Sequence, residues 1–582
     1  MKRKPLWIVM LLLLFYIPMN SERISLKIEE DIFSFSDYLE LVNDVKQFHL
    51  YRKTLKESNG YVHSAFFACQ FLNNELFLMP EAYFESHQKE FLNIKKVKKL
   101  LPNDPFVIVF FERKFQENND EEDFTETRNW YSKLRREVMA SLWNMNFNLE
   151  DYKRVLSFLE ENLDLYIIRQ NKEITMSDLN YAAAMGFMLS LDGYSKVYKK
   201  RRHKFQIEPN QNRIAGVGMI LRLGANREVR VESPLEDSPA HKSGIYRNDI
   251  ILKINDRDVR DLDFEEVIQL QKGKPGSIVK FEIKRESINR ILSISVKREF
   301  LAYGIVKGEL FPFDPEVAVI RVFRWEDKNI SVAKEIHLEY DRLLKQTKDQ
   351  NRKLKGIILD FRSLRGGTIE SIADTLDLFI KDALLFRVKN ERGEVADRFA
   401  KGNEPIELPL AILVDRNTSS GGEVIAGSLQ YHKRAIVMGE RTSGNAALVS
   451  TFDFSNNQSY GMEILDSLYY FPSEISFHEI GILPDIQITS EFGGSNLLIR
   501  KEEIDRNHSS FAEMEESRNS QIPLEEIQAW VKVNGKANVE IERRKNDPIR
   551  SDDFLFHAVD AFNGYLLTLN SVKRIEGEKT KE

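Results

Sequence analysis

Three short stretches of this 582-residue chain put chemistry-bearing residues at the ends of apolar runs. In the first, the apolar run Leu410–Val414 leads into Asp415-Arg-Asn-Thr-Ser-Ser420-Gly421-Gly-Glu423, and a helical pattern continues to Gln430. A serine at a helix start sits where unsatisfied N–H groups and the helix dipole favour developing negative charge, which suits a nucleophile. Ser420 and Glu423 also have capping-box spacing, which would account for both residues structurally. In the second stretch, Ile357-Ile358-Leu359 runs into Asp360-Phe-Arg362 and then Gly366-Gly367, ahead of a helical stretch from Ile369 to Phe379. Backbone N–H groups at a double-glycine turn can stabilise an oxyanion, and the same residues also read as a tight strand-to-helix turn. In the third, Gly216-Val217-Gly218-Met219 precedes a strand pattern. Its N–H groups can converge as an anion nest, and the next strand edge could accept an extended peptide.

These stretches need elements to hold them. Across residues 214–298, Val229 and Val231, then Val279, Phe281 and Ile283, then Leu292, Ile294 and Val296 alternate with polar residues, which predicts half-buried strands. Asp263-Phe264-Glu265-Glu266 has the spacing of a helix start. Residues 300–490 differ. Ile357–Leu359, Leu410–Val414 and Ala435–Met438 are continuous apolar runs separated by helical stretches, so an α/β core with parallel strands buried on both faces is expected. Ahead of both regions, the pattern predicts a strand at Phe106–Phe111 and helices at Thr127–Leu142, Leu149–Leu165 and Ser177–Leu191. Ser177 is expected to cap the last of these, with Leu179, Ala182, Ala183, Gly186 and Leu189 on one face. Residues 496–582 are charged and poorly patterned apart from a helix expected over Asp552–Leu567. No internal repeat is present.

The net charge of −6 is small for this length, and no nucleic-acid partner is indicated. The basic cluster Lys199–Lys204 reads as a solvated linker. The single cysteine, Cys69, can form neither an internal disulfide nor a cysteine-based metal site. No cofactor and no metal is expected. At the N-terminus, Lys2, Arg3 and Lys4 precede an apolar run from Pro5 to Met19, shorter than the ~20 residues of a membrane span. That pattern fits a signal peptide best, either cleaved or kept as a marginal N-terminal anchor that associates the chain with a membrane. Either way the remainder is expected to be exported to the periplasm or another extracytoplasmic space.

Two further motifs turn these pieces into a resemblance. Ser238-Pro-Ala-His-Lys-Ser-Gly244 through Asn248-Asp-Ile-Ile-Leu-Lys-Ile-Asn255, with Gly273-Lys-Pro-Gly276, resembles the PDZ pattern. Leu359–Gly367, Thr418–Tyr431 and Gly481-Ile-Leu-Pro-Asp485-Ile resemble the motifs of the C-terminal processing (tail-specific) serine peptidase family, and Tyr181–Ser195 resembles the helix that precedes its core. The resemblance spans about 180–490 and implies an α/β peptidase core with an inserted β-rich PDZ-like domain and an N-terminal helical region. The expected division is 1–21 signal peptide or anchor, 22–205 mostly helical, 206–299 PDZ-like, 300–495 core and 496–582 extension.

The family's nucleophile falls on Ser420, and its oxyanion donors on Gly421 with Gly366 or Gly367. Peptide binding is implied at Gly216, Val217, Gly218 and Met219, through the C-termini of polypeptide partners. The family's general-base lysine falls on Asn445, and its supporting glutamine on Val449. An amide has no basic lone pair to take the serine proton. Relatives without the lysine use a histidine at a position that is Tyr194 here, and His203 lies nearby in sequence. The sequence therefore favours a peptide-binding, peptidase-like protein over an active serine endopeptidase with another base. A hydratase-like enzyme on a related core fits poorly, with no nucleotide or acyl-carrier motif and a PDZ-like module left unexplained.

Overall fold

The structure is a computed structural model. It describes residues 32–488, 524–537 and 552–579, apart from 73–75, 88–95, 100–105, 113–120, 144, 164–173, 201–214, 224–227, 235–237, 247–248, 260–263, 289, 301–304, 326–330 and 403. The apolar run Pro5–Met19, His203 and Asp263 lie outside the described residues. Among the described residues no helix is long and apolar enough to cross a membrane. The chain forms two compact units, Met1–Arg202 with Thr451–Ile464, and His203–Ser450 with Leu465–Glu582.

The first unit contains helices α1 (Phe35–Phe48), α2 (Glu57–Leu72), α3 (Glu121–Leu142), α4 (Leu149–Glu161) and α5 (Met176–Leu189). Besides these helices it has an antiparallel sheet of β1 (Leu76–Pro80), β3 (Phe106–Glu112) and β2 (Lys96–Lys99), in that order. A further strand, β4 (Lys196–Lys199), runs antiparallel to the first residues of β21 (Tyr460–Tyr470). The region is thus less purely helical than the sequence pattern suggests. Thr175, not Ser177, caps α5: its Oγ1 accepts from the Asp178 N–H at 3.3 Å, and Asp178 accepts from the Thr175 N–H at 3.0 Å. Ser177 Oγ instead accepts from the Phe33 N–H at 2.7 Å. Leu179, Ala182, Ala183 and Gly186 are buried as expected, but Leu189 is exposed. Gly186 is required by close packing, because a Cβ there would lie 2.6 Å from the His63 carbonyl oxygen on α2. The turn after α5 is tied by Asp192, which accepts from the Tyr194 and Ser195 N–H groups and from the Ser195 hydroxyl. His49 adds a fourth bond at 2.8 Å. Its Nδ1 accepts from the Tyr51 N–H, so its Nε2 is the donor to Asp192.

The second unit begins with the expected β-rich module. Here β6 (Met219–Leu223), β7 (Val229–Pro234), β8 (Ile250–Ile254), β10 (Ile278–Arg285) and β11 (Arg290–Lys297) form one sheet in the order β11-β10-β8-β7-β6, with β9 (Arg257–Asp258) beside β8. Val229, Val231, Val279, Phe281, Ile283 and Val296 line its core, with Leu292 and Ile294 packed partly buried against it. The short β5 (Ala215–Gly216) pairs with β12 (Glu299–Phe300), so the two ends of the module meet.

The α/β core follows. Its sheet runs β13 (Val306–Phe311), β14 (Asp314–Val322), β15 (Gly356–Asp360), β18 (Leu410–Val414), β19 (Ile436–Gly439) and β22 (Ile486–Gln487). All neighbours from β14 onward are parallel. The intervening strands β16 (Leu384–Asn390), β17 (Val395–Phe399) and β20 (Ala447–Asp453) join β21 in a separate sheet of order β17-β16-β21-β20. In the parallel sheet successive side chains alternate between faces. On one face Ala318, Ile320, Ile357, Leu359, Ile412, Val414 and Val437 pack against helices α8 (Val332–Asp349), α9 (Ile369–Asp377) and α10 (Gly421–Tyr431). These labels count α6 (Pro239–Lys242) and α7 (Phe264–Leu270) of the preceding module. On the other face Val317, Val319, Ile358, Ala411, Leu413, Ile436 and Met438 pack against α12 (Asp553–Lys579), beside α11 (Leu524–Asn534). A sheet covered on both faces explains why its strands read as continuous apolar runs. The helix expected over Asp552–Leu567 thus supplies half of the core's cover, a role the charged surrounding sequence hides. Phe562 packs so closely that a Cβ on Gly356 would lie 2.6 Å from its ring.

Candidate active site

The site lies at the C-terminal ends of β15 and β18, where parallel α/β sheets usually place their ligands. Asp415, the first residue after β18, ties the two outgoing loops together. Its Oδ1 accepts from the Asn417 and Thr418 N–H groups at 3.1 and 2.9 Å and from the Ser363 N–H of the other loop at 2.8 Å. Its Oδ2 accepts from the Ser363 hydroxyl at 3.0 Å. The loops then run side by side, with Ser419 N–H donating to the Leu364 carbonyl and Gly421 N–H to the Gly366 carbonyl, each at 2.9 Å.

Between those two bonds stands Ser420, with φ 56° and ψ −117°. L-residues rarely adopt that backbone. Holding it costs on the order of 1–3 kcal/mol, and such strain clusters at functional positions. The residue is half-buried, and α10 begins directly after it. The expected capping box is only half formed. The Ser420 N–H donates to Glu423 Oε2 at 2.9 Å, but the Ser420 hydroxyl makes no cap bond. The side chain is therefore not engaged in holding the helix.

Glu423 does far more than cap. It is fully buried and also accepts from Thr442 Oγ1 at 2.6 Å, Ser443 Oγ at 3.0 Å, Gly444 N–H at 2.6 Å and Asn445 N–H at 2.9 Å. Burial pushes its carboxyl above the usual range, and these donors oppose that push. One carboxylate thus fixes the whole Thr442–Asn445 turn beside Ser420. Asn445 has both ends engaged: besides its N–H on Glu423, its side-chain Oδ1 accepts from the Ala447 N–H at 3.1 Å. Val449 is exposed. Among the described residues no basic side chain bonds the Ser420 hydroxyl. Tyr194 lies in the Asp192-tied turn of the first unit.

Gly421 N–H is not free, because the Gly366 carbonyl takes it, and a Cβ on Gly421 would lie 2.3 Å from that oxygen. Gly366 and Gly367 both have positive φ, 81° and 112°. The loop that carries them is anchored by a charge cluster that sequence reading did not assemble. Arg362 donates to Asp360 at 2.9 and 2.7 Å and to Asp552 at 2.8 Å, and Arg321 lies 3.7 Å from Asp360. Burial pushes the Asp360 carboxyl up, but Arg362 and Arg321 outweigh it and hold it below the usual range. Burial is likewise outweighed at Asp552, chiefly by Arg362. Asp552 also caps α12 by accepting from the Leu555 N–H at 3.0 Å.

The nest expected at Gly216–Met219 sits against the edge of the β-rich module. Gly218 has φ 76°, and the Val217 carbonyl accepts from the Ala240 N–H at 2.8 Å. The Ser-Pro-Ala motif thus has a local structural role, in which Ser238 caps α6 and Ala240 fixes the loop. The strand that follows, β6, ends the sheet order. Asp249 bonds Arg285 at 2.8 and 2.7 Å, and that guanidinium lies 4.0 Å from the Tyr246 ring centroid.

Residues 316–488 match the profile of peptidase family S41, and residues 230–285 match that of a PDZ domain. The core matches peptidase family S41 over residues 316–488. Among curated relatives, the carboxy-terminal-processing protease of Bartonella bacilliformis is 26% identical over 358 residues, covering 60% of this chain and 79% of that protein. The carboxyl-terminal-processing protease of Picosynechococcus sp. is 28% identical over 314 residues, covering 53% and 73%. Among solved structures, a photosystem II D1 C-terminal processing protease is 21% identical, with 58% of this chain and 87% of that one covered and a TM-score of 0.41. The S41 match ends just past β22. The helix α12 that covers one face of this S41 sheet, and Asp552 with it, therefore comes from outside the matched residues.

Proposed function

We propose that this S41 protein is an exported peptide-binding protein that captures extended polypeptide segments by their C-termini and hydrolyses them slowly or not at all. The observation that carries this reading is the state of Asn445. It stands where the family resemblance puts the general-base lysine. An amide cannot take the Ser420 proton near neutral pH, and its oxygen is already committed to Ala447. Loss of a catalytic base lowers turnover by several orders of magnitude, while binding through other surfaces is untouched.

Capture is assigned to Gly216, Val217, Gly218 and Met219, whose N–H groups would receive a terminal carboxylate while the peptide extends along the open edge of β6. Ser420, Gly421, Gly366 and Gly367 form the remnant of the hydrolytic site. Export rests on the basic and apolar N-terminus, Lys2 to Met19. Fractionation that finds the full-length chain in the cytoplasm would overturn that part.

A second reading, an active endopeptidase, has one observation in its favour. Ser420 keeps a strained backbone with a hydroxyl not used for capping, as a nucleophile would. The experiment that separates the readings is incubation of the full-length protein with peptides ending in a free carboxylate, following binding and cleavage together. Binding without Ser420-dependent cleavage supports capture; Ser420-dependent turnover supports the enzyme.

A further inference from the structure

We propose that the Gly366–Gly367 peptide is a two-position switch at the oxyanion site, resting on the reading of Ser420 as the remnant nucleophile. In the position seen here its carbonyl closes the site by accepting from the Gly421 N–H at 2.9 Å. In the other position the Gly367 N–H takes the place of that carbonyl. Two N–H groups, from Gly421 and Gly367, then face an anionic ligand oxygen at Ser420.

The geometry confines the motion to the short Arg365–Thr368 stretch, in which the Gly366–Gly367 peptide turns most easily. Upstream, the Ser363 N–H is held by Asp415, the Leu364 N–H by the Phe361 carbonyl, and the Leu364 carbonyl by the Ser419 N–H. Arg362 is locked between Asp360 and Asp552. Downstream, Thr368 caps α9 by accepting from the Ser371 N–H at 3.1 Å. Three peptide units, Arg365–Gly366, Gly366–Gly367 and Gly367–Thr368, lie between these anchors, and of the three only Gly366–Gly367 is flanked by glycine on both sides. Rotating a peptide plane about the line joining its Cα atoms exchanges the sides of its carbonyl and N–H and leaves the chain path in place. Both flanking residues lack a Cβ that would resist it.

The two positions are also close in hydrogen-bond terms. Among the described residues nothing accepts from the Gly367 N–H, so turning it inward breaks only the Gly366–Gly421 bond. A ligand oxygen carrying negative charge gives back two charge-assisted bonds, which are the stronger kind. The closed position is also the one that demands glycine. There Gly367 has φ 112°, a backbone conformation that L-residues rarely adopt. A half-turn of the peptide carries this φ to about −70°, inside the region open to every L-residue. The ligand class that selects the open position is a tetrahedral or carboxylate oxyanion at the end of a peptide.

The test uses the full-length chain and a peptide boronic acid, which bonds a serine oxygen through boron and presents an oxyanion. Wild type, Gly367→Ala and Ser420→Ala are titrated, and the adducts are crystallised. The switch predicts Ser420-dependent capture, with Gly367→Ala binding about tenfold tighter because an L-residue disfavours the closed position. It also predicts that the wild-type adduct has the Gly366 carbonyl turned away and the Gly367 N–H on the boronate oxygen. Ser420-dependent capture with the Gly366 carbonyl still on the Gly421 N–H overturns the switch and leaves the Ser420 reading standing. Absence of any Ser420-dependent adduct overturns both, and peptide capture by the β-rich module, measured in parallel, is then judged alone. If Gly367→Ala does not fold, the wild-type adduct structure decides.

Discussion

Glu423 Oε2 accepts from the backbone N–H of Ser420 and from the backbone N–H of Asn445, each at 2.9 Å. Ser420 and Asn445, on which the family resemblance puts the nucleophile and the general base, are therefore held by one oxygen atom. Asn445 reaches this carboxylate with its backbone and not its side chain. The hold of Glu423 on this position is therefore independent of side-chain identity, while the Asn445 side chain adds a bond from the Ala447 N–H.

That relationship makes Glu423→Gln costly. A glutamine presents an NH2 where Glu423 now offers acceptors to five donors, so at least one buried N–H or hydroxyl loses its partner. Each such group costs about 1–3 kcal/mol. Denaturant unfolding of Glu423→Gln should show a loss of about 3 kcal/mol or more. A change under 1 kcal/mol would mean the network is not formed.

The same relationship predicts what Asn445→Lys does. The backbone N–H still reaches Glu423, but the Ala447 N–H loses its Asn445 Oδ1 partner, so stability should fall by about 1–2 kcal/mol. The side chain is then free to act on Ser420, partly desolvated, with its pKa lowered toward neutrality. Peptide hydrolysis should rise by at least about tenfold over wild type, a modest part of what general-base catalysis contributes. The gain should vanish in the Ser420→Ala double variant. No gain would count against Asn445 as the sole cause of weak activity.

The Asp552–Arg362 contact ties α12 to the glycine loop. Asp552 is about one-third exposed, so solvent screens the pair, and Asp552→Asn should cost about 1–2 kcal/mol, less than a fully buried pair. Asp360 and Asp552 are both held below the usual carboxylate range. Their stabilisation is therefore complete above the unfolded carboxyl value near ~4 and is lost as pH falls through the lower folded values. The stability gap between wild type and Asp552→Asn should be constant from pH 5 to 7 and shrink below about pH 4. A gap that widens on acidification would contradict the assignment.

The cover that α12 gives the sheet is testable at Phe562, which is fully buried over Gly356. Phe562→Ala should lose about 3–5 kcal/mol. Truncation of the chain before residue 552 should expose the apolar face of β15 and β18 and leave the core aggregation-prone. A truncated core that stays soluble and cooperative would show that the helix is dispensable.

Much of this was legible in the sequence, for reasons that differ by element. The strands β15, β18 and β19 announced themselves because burial on both faces removes every polar position. The Gly218 turn and the Ser-Pro-Ala loop were legible because their backbone geometry requires particular residue types. Ser420 stood out by position, but its spacing to Glu423 suggested a reciprocal cap, and only coordinates reveal that the hydroxyl is uninvolved. The Glu423 network was hidden because its donors, Thr442 to Asn445, lie about twenty residues away and three of its bonds come from backbone N–H groups, which carry no sequence signal. Asp552 was hidden for a similar reason: its partner Arg362 is 190 positions distant. The strand β3 was expected at Phe106–Phe111, but its neighbour β1 escaped because Leu76–Pro80 is short and lacks alternation. The cap of α5 was misplaced by two residues because Thr175 and Ser177 are equally good caps, and the Phe33 N–H decides between them.

Capture of peptide ends without turnover is the activity proposed for this chain. The most direct measurement is to mix the full-length protein with an excess of a peptide bearing a free C-terminus. Its amidated twin serves as control, and calorimetry and mass spectrometry follow binding and cleavage over a day. Wild type and Ser420→Ala should bind the free-acid peptide equally, bind the amide more weakly, and return both peptides intact. Cleavage by wild type that disappears in Ser420→Ala would contradict the proposal, since a base other than residue 445 would then be at work.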